Sequence, residues 1–399
     1  MRAVTTPTHN PMAWLDEALE ALDINHQRRT LITRPSAGGT LDVDGKRLLN
    51  FASNDYLDFL NRPELKEAAI AATTRYGAGS GASRLVSGTL TLHEELEAAA
   101  AAHKGYPCAL LFGSGYMTNI GAITALVGRD DVVLADRLIH ASLIDAIRLS
   151  GAGMIRFHHN DAEDLKRRLA DLKPSGKKLI VTESVFSMDG DLAPLPEIAR
   201  VAGEYEAMAL VDEAHATGVW GPEGRGLIAE HRLQPDIPIA MSTFSKALGG
   251  YGGVIAGSAA LRDWLINKAR SFIYTTAPPP ASCAAALAAL RLLESEPALG
   301  GTLLERAAFF RNALHALGFT TGASCSQIIP VIIGDNAATM KLAEALRQRG
   351  ILVGAIRPPT VPVGTSRLRF SITLAHRQED LAFAADQLAR SAAEIGWSP

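Results

Sequence analysis

Short apolar runs punctuate the middle of the chain at Ala109–Phe112, Val132–Leu134, Met154–Phe157, Leu179–Thr182, Ala207–Val211 and Ile237–Met241. None alternates apolar with polar residues, the pattern expected of strands covered on both faces. Helical stretches such as Ala162–Leu172 and Pro196–Tyr205 lie between them. Strands that alternate with helices predict an α/β unit around a mostly parallel sheet. Such sheets bind ligands at the carboxyl ends of their strands.

The texture changes after Pro278. Ala281–Leu293 and Leu303–Leu317 read as helices, followed by a strand (Ile328–Ile333) and a helix (Ala337–Arg349). Two strands, Ile351–Ala355 and Arg367–Thr373, and a last helix, Glu379–Ala393, complete a smaller α+β unit. Three prolines in Tyr274–Pro280 cannot continue a helix or a central strand, so the boundary is placed there. The start of the chain holds an amphipathic helix, Met12–Leu22, and a hairpin turning at Asp44-Gly45. The expected division is therefore an N-terminal segment (1–50), a large unit (51–280) and a small unit (281–399), with no internal repeat.

A chain of 399 residues with 47% hydrophobic residues can bury a large core. Its net charge of -3 argues against nucleic acid or a charged membrane surface as partner. Cys108, Cys283 and Cys325 are odd in number, widely spaced and form no CxxC, which argues against a disulfide framework and a zinc site, so no metal is expected. The polar stretch Met1–Pro11 lacks the apolar core of a signal peptide, and Ala281–Leu293 is too short to span a membrane. The expected compartment is the cytoplasm.

The chemistry concentrates in two segments. Leu210-Val-Asp-Glu-Ala-His215 is a strand that ends on an acid and then a histidine. Met241–Gly253 carries Lys246 among Thr243, Ser245 and four glycines. Taken alone, Lys246 is as readily a solvated surface lysine, and Asp212 an ordinary loop cap. Together they make the pair that pyridoxal phosphate (PLP) needs: a lysine for its aldehyde and an acid for its pyridinium nitrogen. His215 would meet the phenolic oxygen.

Gly113-Ser-Gly-Tyr-Met-Thr118 follows a strand and opens a helix, so its backbone N–H groups suit a phosphate, or it serves simply as a βα turn. His140 is a helix-terminus histidine or a group stacked on the cofactor ring. Ser187 is a turn hydroxyl or a cofactor ligand. Arg367 and Arg369 share one face of a strand, and Arg369, taken as the more interior, is the better fork for a substrate carboxylate. Gly77-Ala-Gly-Ser-Gly81 is not GxGxxG and follows no convincing strand, which disfavours a nicotinamide cofactor.

These residues, with Asn50–Leu57, Gly79–Gly88, Leu92–Leu96, Val185–Asp191, Val211–Gly218 and Thr243–Gly250, resemble the α-oxoamine synthases. Those are PLP enzymes of the aspartate-aminotransferase-like fold (fold type I), and the resemblance runs from about residue 15 to near the C-terminus. Gly354-Ala-Ile-Arg-Pro-Pro-Thr-Val-Pro362 is most similar to the branch that serves biotin synthesis.

The resemblance implies that Lys246 forms the Schiff base, Asp212 pairs with the pyridinium and His140 stacks on it. It implies that Ser187, His215, Thr243, Gly115 and Tyr116 hold the cofactor. Thr275 or Thr276 would reach the phosphate across a homodimer. Arg28, Thr360 and Arg369 match substrate positions, with Asn54 and Arg357 as further contacts. The implied reaction is a decarboxylative condensation of L-alanine with a pimeloyl group on coenzyme A or acyl carrier protein. The rival readings are a glycine-using sister synthase, a PLP aminotransferase and a PLP-fold binding protein.

Overall fold

The structure is a computed structural model that describes residues 10–34, 37–43, 45–172 and 176–398. Residues 1–9 and the turn residue Asp44 lie outside the described residues. The first helix, Trp14–Ile24, precedes a hairpin of β1 (Thr40–Val43) and β2 (Lys46–Asn50). The central sheet is built from β3 (Cys108–Phe112), β4 (Val132–Asp136), β5 (Gly153–Phe157), β6 (Lys178–Glu183), β7 (Met208–Asp212), β8 (Ile239–Thr243) and β9 (Gly253–Gly257). Their spatial order is β3-β9-β8-β7-β6-β4-β5. Pairs among β8, β7, β6, β4 and β5 are parallel, and β9 runs antiparallel between β3 and β8.

Helices cover both faces of this sheet. Val133, Leu134, Leu179, Ile180, Val181, Leu210 and Val211 are wholly buried, which is why their runs show no alternation. The four neighbouring parallel strands β8, β7, β6 and β4 end on Thr243, Asp212, Glu183 and Asp136. Apolar interiors and polar carboxyl ends thus sort the core from the site along each strand.

Six of the seven strands follow the apolar runs. Strand β9 does not, because Gly252-Gly-Val-Ile-Ala-Gly257 has the composition of a loop. Its glycine is a packing requirement. A Cβ on Gly253 would stand 2.5 Å from Thr118 Oγ1 and 3.0 Å from Gly115 Cα.

The C-terminal strands are β10 (Ile328–Gly334), β11 (Ile351–Leu352), β12 (Gly354–Ile356) and β13 (Ser366–Ser371). The expected single strand Ile351–Ala355 is two strands in two sheets. β11 pairs parallel with β2, and β12 pairs antiparallel with β13 beside β10. The N-terminal hairpin is therefore stitched to the C-terminal part of the chain. Helix Pro280–Ser295 packs on Pro63–Tyr76 and Thr91–Lys104.

Candidate active site

A cavity of about 220 Å³ opens at the carboxyl ends of the parallel strands, lined by Ser114, Gly115, Tyr116, Asn119, His140, Ser142, Glu183, Asp212, Ala214, Met241, Thr243, Ser245 and Lys246. Another cleft, about 620 Å³, is bordered by Arg84, Glu97, Tyr106, Cys108 and Phe272, and no lysine or histidine lines it. The chemistry belongs to the smaller cavity.

Lys246 follows β8 in a tight loop. Gly249 in that loop has φ +60°, and a Cβ there would come within 2.8 Å of the backbone of Phe59 and Leu60. Only glycine lets the loop dock on the segment that carries Tyr56. Lys246 Nζ lies 2.7 Å from His215 Nε2, and His215 Nδ1 lies 2.7 Å from the Tyr56 hydroxyl. Burial brings the Lys246 amine down to about 8, against the pull of Asp212 and Glu183 and with help from Arg369. Burial, then the positive charges of Lys246, Arg369 and His140, holds His215 well below the usual histidine range.

Asp212, the last residue of β7, accepts from Asn119 Nδ2 at 2.9 Å and from the Ala214 amide at 2.9 Å. Asn119 also donates to Ser142 Oγ at 2.9 Å, and Ser142 Oγ lies 2.8 Å from His140 Nδ1. His140 caps helix Ala141–Ser150, and its backbone amide donates to Glu183 Oε1 at 2.5 Å. Burial first, and then the Asp212 carboxylate, pushes Glu183 well above the usual carboxylate range. Burial lowers His140, with Asp212 opposing.

Across the cavity, helix Gly115–Leu126 starts at Ser114, whose Oγ caps the Met117 amide at 3.2 Å. Thr243 Oγ1 and Ser245 Oγ lie 2.8 Å apart near this end. A Cβ on Gly115 would meet Met241 Cε at 3.1 Å, so the glycine keeps the wall open. The helix start with its dipole and the two hydroxyls make this the end of the cavity suited to an anion.

The structure brings Lys246, Asp212, His140, Thr243, Gly115 and Tyr116 to one cavity, with His215 behind the lysine. Ser187 is buried on the adjoining turn, where its carbonyl oxygen accepts from Arg369 Nε at 2.6 Å. Arg369 also donates to Asn54 Oδ1 at 3.3 Å. Arg367 and Arg369 are equally buried, 4% and 7% exposed, so interior position does not separate them. Their partners do. Arg367 is paired with Asp189 at 2.6 Å.

Other candidates do not line the cavity. Arg28 pairs with Asp23 at 2.5 Å on the surface. Arg357 and Thr360 border a separate cavity of about 90 Å³ with Gln27 and Arg29, and Arg29 donates to Thr360 Oγ1 at 3.3 Å. Thr276 is exposed and Thr275 half-buried, beside an isolated bridge from Thr276 to Ser83. Sequence reasoning missed Asn119, Glu183, Ser142 and Tyr56. The terminal Glu of β6 was open to discovery by the strand-end logic that picked Asp212. Asn119 and Tyr56 lie within a helix and a loop, and no local pattern marks them.

A model of the aminotransferase class I and II family matches residues 46–388. The 8-amino-7-oxononanoate synthase of Geobacter sulfurreducens is 48% identical over 363 residues, 90% of this chain and 93% of its own. The chain belongs to the aminotransferase class I and II family, in its α-oxoamine synthase branch. Serine palmitoyltransferase from S. paucimobilis, solved with PLP-myriocin bound, superposes with a TM-score of 0.91 at 31% identity, covering 96% of this chain and 98% of that one. The 8-amino-7-oxononanoate synthase of Francisella tularensis superposes with a TM-score of 0.77 at 30% identity, covering 88% and 99%.

The chain is accordingly a PLP-dependent enzyme of the type I fold. The cavity fits that cofactor. It holds the half-buried Lys246 at one side, two carboxyl groups at strand ends, Asp212 and Glu183, and the start of a helix at Ser114–Tyr116. The Asn119 Oδ1 atom is buried with no protein partner, an acceptor left over at the Asp212 end.

Proposed function

We propose that this enzyme joins L-alanine to a pimeloyl thioester with loss of CO₂. The products are 8-amino-7-oxononanoate and the free thiol of coenzyme A or acyl carrier protein. The observation that carries the reading is 48% identity to a named 8-amino-7-oxononanoate synthase in a chain whose Lys246, Asp212 and His140 line one cavity, with His215 behind the lysine.

Lys246 would hold PLP covalently, with Asp212 at its ring nitrogen, Thr243 and Ser187 along its edge and the backbone of Gly115 and Tyr116 at its other end. Bound PLP supplies an electron sink for charge left at the amino-acid Cα. Lys246 Nζ takes the Cα proton and later returns one, work suited to an amine brought down to about 8. Asp212 would supply the negative charge at the ring nitrogen. His140 would lie beside the cofactor and help orient the carboxylate that leaves as CO₂.

Arg369, with Asn54, receives the amino-acid carboxylate through its two-pronged guanidinium. Arg28, Arg357 and Thr360 serve as further substrate contacts. In a homodimer, Thr275 or Thr276 reaches the partner's phosphate site. We place the enzyme in the cytoplasm: Cys108, Cys283 and Cys325 are free, and no helix among the described residues is long and apolar enough to cross a membrane.

Superposition alone favours a second reading, because the serine palmitoyltransferase score exceeds the Francisella one. One shared fold serves both, so identity weighs more than shape. A mass-spectrometric product assay separates them. L-alanine with pimeloyl-CoA or pimeloyl-acyl carrier protein is run beside glycine with acetyl- or succinyl-CoA and L-serine with palmitoyl-CoA. The expected result is 8-amino-7-oxononanoate from the first pair only, lost in Lys246→Ala. Product from another pair alone overturns the substrate reading, and full turnover by Lys246→Ala overturns the mechanism.

A further inference from the structure

A short hairpin-like turn joins the central sheet to the C-terminal strands. Its base is the isolated bridge between Val185 and Leu192. Within it the Phe186 amide donates to the Asp191 carbonyl oxygen at 3.1 Å and the Gly190 amide to the Phe186 carbonyl oxygen at 2.9 Å. The C-terminal strands grip its tip. Arg369 Nε donates to the Ser187 carbonyl oxygen at 2.6 Å, the shortest of its bonds, and Arg367 pairs with Asp189 at 2.6 Å. The Cys325 and Ser326 amides donate to the Gly190 carbonyl oxygen at 3.1 and 3.2 Å. Gly190 has φ +69°, and a Cβ there would stand 2.0 Å from the Ile328 carbonyl oxygen, so this contact requires glycine. The turn thus carries Ser187, proposed above for the cofactor, and braces Arg369, proposed above for the substrate carboxylate.

The central sheet holds the other side of the turn through one imidazole. His159 Nδ1 lies 2.9 Å from Asp136 Oδ1, at the end of β4, and Nε2 lies 2.7 Å from Asp191 Oδ2, in the turn. Asp136 also accepts from the Leu138 and Asn160 amides, both at 2.8 Å, and Asp191 Oδ2 from Asn160 Nδ2 at 3.0 Å. Both carboxylates are buried and act as acceptors toward every one of these groups, so His159 donates from both nitrogens and is a cation. Asp191 Oδ1 is buried with no protein partner, which leaves the bonds at Oδ2 to hold this side chain. The His159 ring also stands edge-on to Phe186, 4.4 Å between centroids.

We propose that His159 is a positioning residue for amino-acid binding: as a bridge between Asp136 and Asp191 it fixes the turn whose Ser187 carbonyl oxygen aims the Arg369 guanidinium. His159 does not line the cavity and acts through Ser187. The two-pronged contact of a guanidinium with a carboxylate depends on direction, so a loosened brace weakens it without removing any group that touches the substrate. Bonds of about ordinary hydrogen-bond length to Ser371 Oγ, at 2.7 Å, and Asn54 Oδ1, at 3.3 Å, keep Arg369 in place but leave its Nε to Ser187 alone. The inference rests on the reading of Arg369 as the carboxylate fork and is independent of the acyl donor.

The test joins two measurements on the full-length chain. In ¹⁵N NMR at about pH 8.5, with the His159 signals assigned by their loss in His159→Gln, both ring nitrogens are expected to carry protons, where an ordinary histidine is neutral. The second is the dissociation constant of the amino acid, read from the absorbance of the PLP-loaded enzyme with no acyl donor present. L-alanine, glycine and L-serine are titrated side by side and the tightest binder is used. His159→Gln is expected to weaken that binding about tenfold, the worth of one charge-assisted hydrogen bond, with a smaller change in kcat at saturating amino acid. Asp191→Asn cuts the bridge from the other side and is expected to weaken binding in the same direction. A wild-type His159 with one bare nitrogen overturns the proposal by itself. A folded variant of either kind that melts lower yet binds the amino acid as the wild type does also overturns it, because a merely structural role moves Tm alone. Arg369→Lys separates the two readings. Wild-type binding there overturns the fork and this proposal with it, whereas weakened binding there beside unchanged binding in His159→Gln overturns this proposal alone.

Discussion

Two lysines, the buried Lys104 and the half-buried Lys246, each meet a residue that follows β7, and they are held in opposite ways. Lys104 Nζ reaches Glu213 Oε2 at 2.5 Å, the Arg225 carbonyl oxygen at 2.5 Å and Thr217 Oγ1 at 3.4 Å. Its three donors are spent on a carboxylate, a carbonyl and a hydroxyl, and both side chains of the ion pair are almost fully buried. Lys246 has a neutral imidazole as its hydrogen-bond partner, and burial brings it down to about 8. A lysine whose donors are all taken by a carboxylate, a carbonyl and a hydroxyl becomes a structural fixture. A lysine given a neutral acceptor in the same kind of interior is free to lose its proton and react.

The comparison breaks most sharply at turnover. Lys246→Ala is expected to lose on the order of 10³-fold or more in kcat while thermal unfolding shows a folded protein. Lys104→Met should do the reverse. It strands the Glu213 carboxylate and costs about 3–5 kcal/mol in denaturant unfolding, whereas Lys104→Met with Glu213→Leu recovers most of the loss.

Amine labelling read by mass spectrometry sharpens the contrast. In the chain freed of PLP, labelling of Lys246 should rise with pH through about 8, well below the ordinary lysine range near 10.4. Lys104 should resist labelling until the protein unfolds.

The smallest effect concerns His159, whose ring nitrogens lie 2.9 Å from Asp136 and 2.7 Å from Asp191. Burial opposes its charge, but bonds to the two carboxylates outweigh burial and hold it up to about 10. A histidine raised on folding contributes stability that is complete below its unfolded value of 6.5 and lost as pH rises through about 10. Tm should therefore fall more steeply over that interval in the wild type than in His159→Gln.

Much of the large unit was legible because the inner parallel strands β4, β6, β7 and β8 are buried on both faces and write themselves as apolar runs. The residues after those runs, Asp212 and Lys246, stood out because charged groups next to buried strands are rare without a task. Strand β9 escaped because its glycines are demanded by Gly115 and Thr118, far away in sequence. Strands β11 and β12 escaped for a related reason: six consecutive residues, Ile351–Ile356, are divided between two sheets whose partners come from opposite ends of the chain. Family resemblance named Arg28, Thr275, Thr276, Arg357 and Thr360, and a single chain does not bring them to the cavity that holds Lys246.

The order of residues by itself determined the α/β architecture, the polar strand ends and the pairing of one lysine with one acid, because burial and chain direction are local consequences of pattern. Which lysine is a fixture and which is a base was decided only in three dimensions. Glu213 adjoins Asp212 in the chain, yet one meets Lys104 and the other faces the cavity with Asn119. Successive residues leave a strand end in different directions, and the partner each finds sets its charge.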